Sequence, residues 1–205
     1  MTRLNTELLP FSEQSAKKAA EIMAAGGVVG IPTETVYGLA ADARNEAAVR
    51  SIFEAKGRPQ DNPLIVHISA LEQLPPLVRE IPELALKIAE KYWPGPLTMI
   101  FPKSDMIPAA TSGGLDTVAV RMPESPAARA IIDACGFPLA APSANLSGSP
   151  SPTTAQHVMN DMNGRIPLII DGGECRCGVE STVLCFPAAD RVRILRPGGV
   201  TAEML

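Results

Sequence analysis

The sequence predicts an α/β fold in which one domain is built on a mixed parallel and antiparallel sheet. Apolar strand candidates alternate with helix candidates along the chain, a pattern typical of α/β proteins. Three strand candidates crowd into residues 168–195, which favours a mixed sheet over a wholly parallel one. The length of 205 residues favours one domain over two and is enough to bury a core without disulfides or metals.

Helix starts are predicted at Ser12, Asn45, Pro82 and Ser125, where a capping residue or a proline precedes apolar residues at helical spacing. A fifth helix is expected over residues 153–162. Short apolar runs bounded by glycine or proline predict strands at residues 28–31, 64–68, 97–101, 117–122, 139–141, 168–170, 182–186 and 192–195.

The composition excludes several classes of protein. Hydrophobic residues make up 46% and charged residues 20% of the chain, so wholesale disorder is excluded. The formal net charge of -4 argues against a protein whose main role is to coat nucleic acid. Only 4% of residues are aromatic, which disfavours broad base-stacking surfaces.

The cysteines predict free thiols in a reducing compartment. No two of them have the CxxC spacing of a structural zinc site, and two histidines leave little room for a histidine-rich metal site. The N-terminus has no apolar signal core, and no apolar run is long enough to span a membrane. We therefore expect a cytoplasmic protein without membrane contact and without a protein-bound metal. The cysteines are Cys135, Cys175, Cys177 and Cys185.

Common nucleotide and hydrolase motifs are absent, because the chain contains no GxxxxGK[ST], GxGxxG, HExxH or GxSxG pattern. The candidate chemistry therefore lies in the loops at strand ends. Residues 32–38 follow a strand and carry short hydroxyl side chains and a glycine that allow close approach to a small ligand. The alternative is an ordinary connection from a strand to a helix.

A second loop carries Lys56 and Arg58 between glycine and proline, and two cations so close together suit a multiply charged anion. The alternative is a pair of solvated surface charges. A third loop carries Ser143 and Asn145, which face the same side if the preceding strand continues that far. The alternative there is a serine-rich turn.

Two arginines stand at the ends of predicted strands, Arg121 in VAVRMP and Arg196 in ILRPGG. Each is placed to bind an anion such as a carboxylate or a phosphate. The alternatives are solvation of Arg121 at the surface and, for Arg196, cover of a sheet edge or pairing with a surface carboxylate.

Eight blocks occur in one order: PTETVYGL, KGRPQDNPLIVHI, WPGPLT, VAVRMP, APSANLSGSPSPT, DGG, GVESTV and ILRPGG. Their order resembles the YrdC-like threonylcarbamoyl-AMP synthase family, from about residue 27 to residue 199. The resemblance implies a twisted mixed sheet with flanking helices and a large, positively charged concave pocket. It also implies a nucleotidyltransferase that makes threonylcarbamoyl-adenylate and pyrophosphate from L-threonine, bicarbonate and ATP with Mg²⁺. That product serves N6-threonylcarbamoyladenosine formation in tRNA by a downstream transferase machinery, with at most weak contact to RNA.

The resemblance also implies the functional residues. Catalytic roles fall on Lys56, Arg58, Ser143 and Asn145. Contacts to ATP fall on Arg58, Asn62, Thr117, Ser143, Ser151 and Arg196. Contacts to L-threonine fall on Thr35, His67, Arg121, the backbone of Ala141, and Ser181 or Thr182. Some family members carry a further C-terminal domain, so residues 1–205 are expected to be the catalytic domain, either alone or as a truncated chain.

Three other functions stay open at this point. The first is a carbamoyl-transfer domain related to hydrogenase maturation proteins, and the second is a family member with the same fold but another activity. The third is an RNA-binding module, which the acidic balance and the few aromatic residues disfavour. Release of pyrophosphate that depends on ATP and threonine distinguishes the predicted enzyme from all three.

Overall fold

The computed structural model describes residues 4–57, 59 and 62–205. In this part of the chain ten strands alternate with six helices. The strands are β1 (Glu7–Pro10), β2 (Val29–Ile31), β3 (Gly38–Asp42), β4 (Ile65–His67), β5 (Leu97–Pro102), β6 (Thr117–Arg121), β7 (Leu139–Ala140), β8 (Leu168–Asp171), β9 (Thr182–Ala188) and β10 (Arg191–Arg196). The helices are α1 (Glu13–Ala24), α2 (Glu46–Lys56), α3 (Glu83–Tyr92), α4 (Ala109–Ser112), α5 (Pro126–Cys135) and α6 (Ala155–Met162).

The strands form one mixed sheet in the order β1-β8-β2-β3-β7-β4-β6-β5-β9-β10. Parallel pairs join β1 to β8, β8 to β2, β4 to β6 and β5 to β9. The other neighbours are antiparallel. The predicted α/β fold with a mixed sheet is confirmed.

Local sequence explains where the helices begin and end. The Ser12 hydroxyl accepts a hydrogen bond from the Ser15 backbone N–H, and the Ser15 hydroxyl accepts one from the Ser12 N–H, so that α1 starts with a capping box. The Asn45 side chain caps α2. Gly57 ends α2 with φ of 61°, a left-handed conformation that glycine adopts without a steric penalty.

Helices cover the two faces of the sheet unequally. On one face, apolar side chains of α2, α3 and α6 join the larger core, with Phe53, Ile88 and Val158 among its members. On the other face, α1 and α5 bury a smaller core against β2, β3, β7 and β8. That smaller core does not extend over β4, β6, β5 and β9. Polar side chains of this half, such as His67 and Arg121, therefore border a concavity.

The structure contains elements that the sequence analysis did not predict, namely β1, β3 and the short helix α4. The interpretation of residues 32–38 as a possible strand-to-helix connection is wrong, because Gly38 begins β3, which pairs antiparallel with β2. The sequence of β3, GLAAD, lacks β-branched and aromatic residues. Burial between β2 and β7 makes it a strand.

Candidate active site

A cavity of about 330 Å³ lies over the uncovered half of the sheet. Side chains that alternate along the strands form its floor, since Ile65 and His67 on β4 and Ala119 and Arg121 on β6 share this face. The residues after β7 and before β9 form its walls. Its polar lining residues are Thr33, Thr35, Asn62, His67, Arg121, Ser143, Glu180, Ser181 and Arg196.

Arg121 is a buried cation at the floor of this cavity. Its Nη2 lies 2.5 Å from Oε1 of Glu34, and the two side chains are 4% and 5% exposed. Its Nη1 donates to the Thr35 hydroxyl at 2.8 Å, and its Nε donates to the Gly95 carbonyl at 3.2 Å. Burial alone would raise the pKa of Glu34, but the Arg121 charge and several hydrogen bonds outweigh burial and lower it. The pair is therefore ionised at neutral pH.

The loop before β3 brings Thr35 to Arg121. The Thr33 hydroxyl donates to the Val36 carbonyl at 2.6 Å and lies 2.9 Å from the Thr35 hydroxyl. The Tyr37 hydroxyl donates to the Gly173 carbonyl at 2.7 Å, which ties this loop to the segment after β8. A side chain at Gly172 would meet the Pro32 ring at 2.6 Å, so close contact between the two segments requires glycine there.

His67 is a neutral base beside Arg121. Its ring is buried, and its Nδ1 lies 3.2 Å from the Ile65 carbonyl oxygen. Burial, together with the positive charge of Arg121, lowers the pKa of His67 to about 3. The imidazole thus carries no charge at neutral pH and presents a neutral polar group to the cavity.

Ser181 and Thr182 face opposite sides at the start of β9. Ser181 lines the cavity, and its hydroxyl lies 2.8 Å from that of Thr98. The Thr182 hydroxyl donates to the Val200 carbonyl at 2.5 Å and accepts from the Val200 N–H at 3.0 Å. Of the two alternatives left by the sequence, Ser181 is the one that borders the cavity.

Arg196 and Glu180 form an ion pair at the cavity wall, with both side chains 38% exposed. Nη2 of Arg196 also donates to the Ser181 carbonyl at 2.9 Å. The second carboxylate oxygen of Glu180 accepts from the Ser151 hydroxyl at 3.1 Å. Two residues that the resemblance assigns to ATP therefore meet on one carboxylate, and the carboxylate pairing considered for Arg196 is present.

Lys56 is the last residue of α2 rather than a loop residue, and it is buried at 3% exposure. Its ammonium group donates to the backbone carbonyls of Ser143 and Asn145. The interpretation of Lys56 as a solvated surface charge is therefore wrong. Ser143 and Asn145 do not share a strand face either, because β7 ends at Ala140. Ser143 borders the cavity, whereas the Asn145 amide donates to the Leu146 and Ser149 carbonyls.

The cavity gathers eight of the residues expected from the sequence: Asn62, Ser143 and Arg196 for ATP, and Thr35, His67, Arg121, Ala141 and Ser181 for threonine. The lining does not include four other expected residues, whose contacts are given above: Lys56, Asn145, Ser151 and Thr182. Thr117 starts β6 on the same face as Ala119, which lines the cavity. Arg58 lies outside the described residues.

Sequence reasoning missed Glu34 and Glu180, the two carboxylates at the site. Both stand inside blocks that the analysis singled out, PTETVYGL and GVESTV. An acidic residue flanked by threonine or serine was the available signal. This signal did not show that the two carboxylates pair with arginines, because Arg121 is 87 residues from Glu34 and Arg196 is 16 residues from Glu180.

The described residues hold no group of three or more histidine, cysteine, aspartate or glutamate side chains arranged for a metal ion. All four cysteines are free, as expected. Burial raises the pKa of Cys175 to about 11 and that of Cys135 to about 12, so both remain thiols at neutral pH. In the part of the chain that is described, no helix has the length and apolar character needed to span a bilayer.

Comparison with known proteins assigns the chain to a family. The family model Sua5/YciO/YrdC, described as telomere recombination, matches residues 21–198. The chain belongs to the Sua5/YciO/YrdC family. The match covers every block that carried the resemblance in the sequence except the final glycine of ILRPGG.

Curated members of the Sua5/YciO/YrdC family are similar over most of this chain. A threonylcarbamoyl-AMP synthase from Pyrococcus abyssi is 55% identical over 94% of this chain and 56% of its own length. A protein of the same name from Bacillus subtilis is 51% identical over 98% of this chain and 58% of its own length. The chain thus spans little more than half the length of these two relatives.

Solved structures of the family confirm the fold. Sua5 of P. abyssi complexed with L-threonine is 52% identical and superimposes with a TM-score of 0.91 over 98% of this chain and 58% of that one. YciO of Escherichia coli has a TM-score of 0.80 over 97% of both chains at 22% identity, a likeness of fold alone.

Proposed function

We propose that this protein is an L-threonylcarbamoyladenylate synthase, which makes threonylcarbamoyl-AMP and pyrophosphate from L-threonine, bicarbonate and ATP. One observation carries the proposal. One cavity brings together a guanidinium, a neutral imidazole, hydroxyl groups, a second arginine and Ser143. The names of the relatives and the threonine complex of P. abyssi Sua5 support the same function.

The part of the cavity around Arg121 suits an α-amino acid. The Arg121 guanidinium pairs with carboxylates through parallel N–H donors. Thr35 and Ser181 bring hydroxyls that exchange hydrogen bonds with a substrate hydroxyl or amine. Neutral His67 adds no charge that would repel an ammonium group. Ala141 would contribute backbone atoms to the threonine site, although its N–H already donates a hydrogen bond to the Ile65 carbonyl.

The reaction needs positioning and electrostatic stabilisation more than a nucleophilic side chain. The deprotonated threonine amine attacks the carbon of bicarbonate, which gives a carbamate and water, or that of CO₂, which gives a carbamate and a proton released to solvent. A carbamate oxygen then bonds to the α-phosphorus of ATP, while the bond from that phosphorus to the bridging oxygen breaks and pyrophosphate leaves. Negative charge grows on phosphoryl oxygens, where Arg196 and the predicted contact Arg58 would stabilise it.

Some of the expected residues would contact the nucleotide directly, and others would hold those residues in place. Ser143 and Asn62 line the cavity and would contact the nucleotide, as would Thr117 where the floor continues. Lys56 and Asn145 would act by holding the loop that carries Ser143. Ser151 would keep Glu180 in place beside Arg196.

Mg²⁺ fits this site as a companion of ATP. The described residues that line the cavity include one carboxylate, Glu180, and Mg²⁺ in nucleotide sites is commonly held by phosphates with one or two carboxylates. Glu180 would therefore contribute to holding the ion, which when bound neutralises phosphate charge.

We further propose that the 205 residues act as one catalytic domain in the cytoplasm. Its product would pass to a tRNA-modifying transferase that forms N6-threonylcarbamoyladenosine, with at most weak contact of this protein to RNA. The formal charge of -4 supports a small-molecule enzyme over an RNA-coating module.

Mass spectrometry of the reaction products tests the proposal. Purified protein with ATP, Mg²⁺, bicarbonate and L-threonine is expected to yield threonylcarbamoyl-AMP and one pyrophosphate for each product molecule. Reactions without threonine or without bicarbonate serve as controls. Folded protein that gives no product under these conditions, or that releases pyrophosphate equally without threonine, would contradict the proposal.

A further inference from the structure

Glu34 is a buried carboxylate that does not itself line the cavity but contacts Arg121, which does. Its Oε1 accepts from Nη2 of Arg121, and its sequence neighbour Thr35 accepts from Nη1 of the same guanidinium. The Gly95 carbonyl accepts from Nε. Three separate acceptors thus hold the three nitrogens of one planar group, which fixes both its position and the plane in which it lies.

Glu34 is itself held from two further segments. Its Oε2 accepts from the Ser125 backbone N–H at 3.4 Å, just before α5. Its backbone carbonyl accepts from the Cys177 N–H at 2.8 Å. These two contacts hold Glu34 independently of Arg121, so that Glu34 can set the position of the guanidinium.

The donor count leaves Arg121 able to bind a ligand. A guanidinium has five N–H donors, and the contacts to Glu34, Thr35 and Gly95 use three of them. One N–H remains on each of the two terminal nitrogens, and Arg121 lines the cavity. A carboxylate with two oxygens matches such a pair of donors.

The charge of Glu34 also decides whether Arg121 can stay buried. A lone buried cation is costly, and a paired one is tolerated. With Glu34 ionised, the Arg121 charge is balanced before any ligand arrives. The site can then bind a zwitterionic amino acid without a change in its protonation state.

We propose that Glu34 is a positioning residue for amino-acid recognition, which orients the Arg121 guanidinium so that its remaining donors bind the substrate carboxylate. This inference rests on the proposed function for the identity of the amino acid. A role limited to stability would instead affect all ligands of the cavity alike. The two roles differ in ligand selectivity, and that difference can be measured.

The test is calorimetric titration of three ligands into wild-type protein and Glu34→Gln, which keeps the shape and a hydrogen-bond acceptor but removes the charge. The ligands are L-threonine, L-threoninamide, which lacks the carboxylate, and ATP. We expect the affinity of Glu34→Gln for threonine to fall at least tenfold, while the affinities for threoninamide and ATP change less than twofold. Under steady-state conditions the KM for threonine should rise at least tenfold, and this rise should exceed the fall in kcat.

The matched control is Glu7→Gln, which removes the carboxylate of an exposed ion pair with Lys18 on the edge strand β1. This variant should bind all three ligands as the wild type does. Should Glu34→Gln fail to fold, Glu34→Asp carries the test, because it keeps the charge but draws the carboxylate back. The same threonine-selective loss is expected there, smaller than in Glu34→Gln if both fold.

The outcomes separate this inference from the proposed function. Equal weakening of threonine and threoninamide, or wild-type affinity for threonine in both Glu34 variants, would overturn the positioning role. Wild-type protein that binds neither amino-acid ligand would overturn the proposed function and this inference with it.

Discussion

Lys56 and Asn145 are 89 residues apart in the sequence, yet the Lys56 ammonium group donates a hydrogen bond of 2.8 Å to the Asn145 carbonyl oxygen. The Lys56 carbonyl in turn accepts from the Ser147 N–H at 3.1 Å. These hydrogen bonds join the end of α2 to the loop after β7. The same loop carries Ser143, which lines the cavity wall. The structure thus shows Lys56 holding the loop that carries Ser143, and its direct contact with phosphate stays a prediction.

Lys56→Ala should lower both stability and activity. The substitution leaves buried carbonyl acceptors without their charged donor, at a cost of about 3 kcal/mol, or a fall in Tm of roughly 6–12 °C for a chain of this length. Thermal unfolding followed by circular dichroism measures the shift. The control Lys87→Ala removes an exposed ammonium paired with Glu83 and should change Tm little. An unchanged Tm together with lost ATP affinity would instead assign Lys56 to direct nucleotide contact.

His67 should make stability depend on pH below about 6.5. The folded pKa of His67, lowered to about 3 by burial and by Arg121, lies below its unfolded value of 6.5. The unfolded chain therefore takes up a proton that the folded chain excludes, and stability present above pH 6.5 is lost as pH falls toward 3. The slope of this contribution is about 1.4 kcal/mol per pH unit in that window.

Urea unfolding between pH 7 and pH 5 measures this slope. This range of pH avoids the titration of Glu34, whose pKa is lowered, so that its contribution to stability is lost only as the pH falls below the ordinary glutamate value of 4.5. In the variant His67→Gln the free energy of unfolding should fall less steeply with decreasing pH, by about 1.4 kcal/mol per pH unit. An identical pH dependence in the wild type and this variant would mean that His67 titrates normally in the folded protein.

Ser181→Ala and Thr182→Val should separate binding from stability. Ser181→Ala removes a hydroxyl from the cavity and should weaken threonine binding by roughly tenfold, the value of one to two hydrogen bonds. Thr182→Val removes both hydrogen bonds to Val200 and should cost about 1–3 kcal/mol of stability instead. Calorimetry and thermal unfolding of the two variants check the pair. Threonine affinity lost only in Thr182→Val would reverse the assignment.

Arg196→Ala should weaken ATP binding by about tenfold or more with little change in Tm, because its ion pair with Glu180 is partly exposed. Titration of ATP in the presence of Mg²⁺ measures the effect. Arg176→Ala, which removes another arginine from an exposed pair with Glu124, is the control and should bind ATP normally. If Arg196→Ala binds ATP as tightly as the wild type, the arginine only holds Glu180 and the start of β9.

The sequence by itself determined the class of fold, the positions of most helices and the family. These features depend on local information: capping residues such as Ser12 and Asn45, glycine and proline at strand ends, and short blocks in a set order. The strand β3 was missed, because a run of small residues gives no local signal for a strand and tertiary burial decides the matter.

Only the tertiary structure decided which polar residues face the cavity. A shift of one position along a strand reverses the face, so the sequence left Ser181 and Thr182 equivalent while the structure separates them. The pairing of Glu34 with Arg121, 87 residues apart, depends on β4 lying between β7 and β6, because that order places the end of β6 beside the loop before β3. Side-chain direction and strand order arise from packing over the whole chain, and no local pattern carries them.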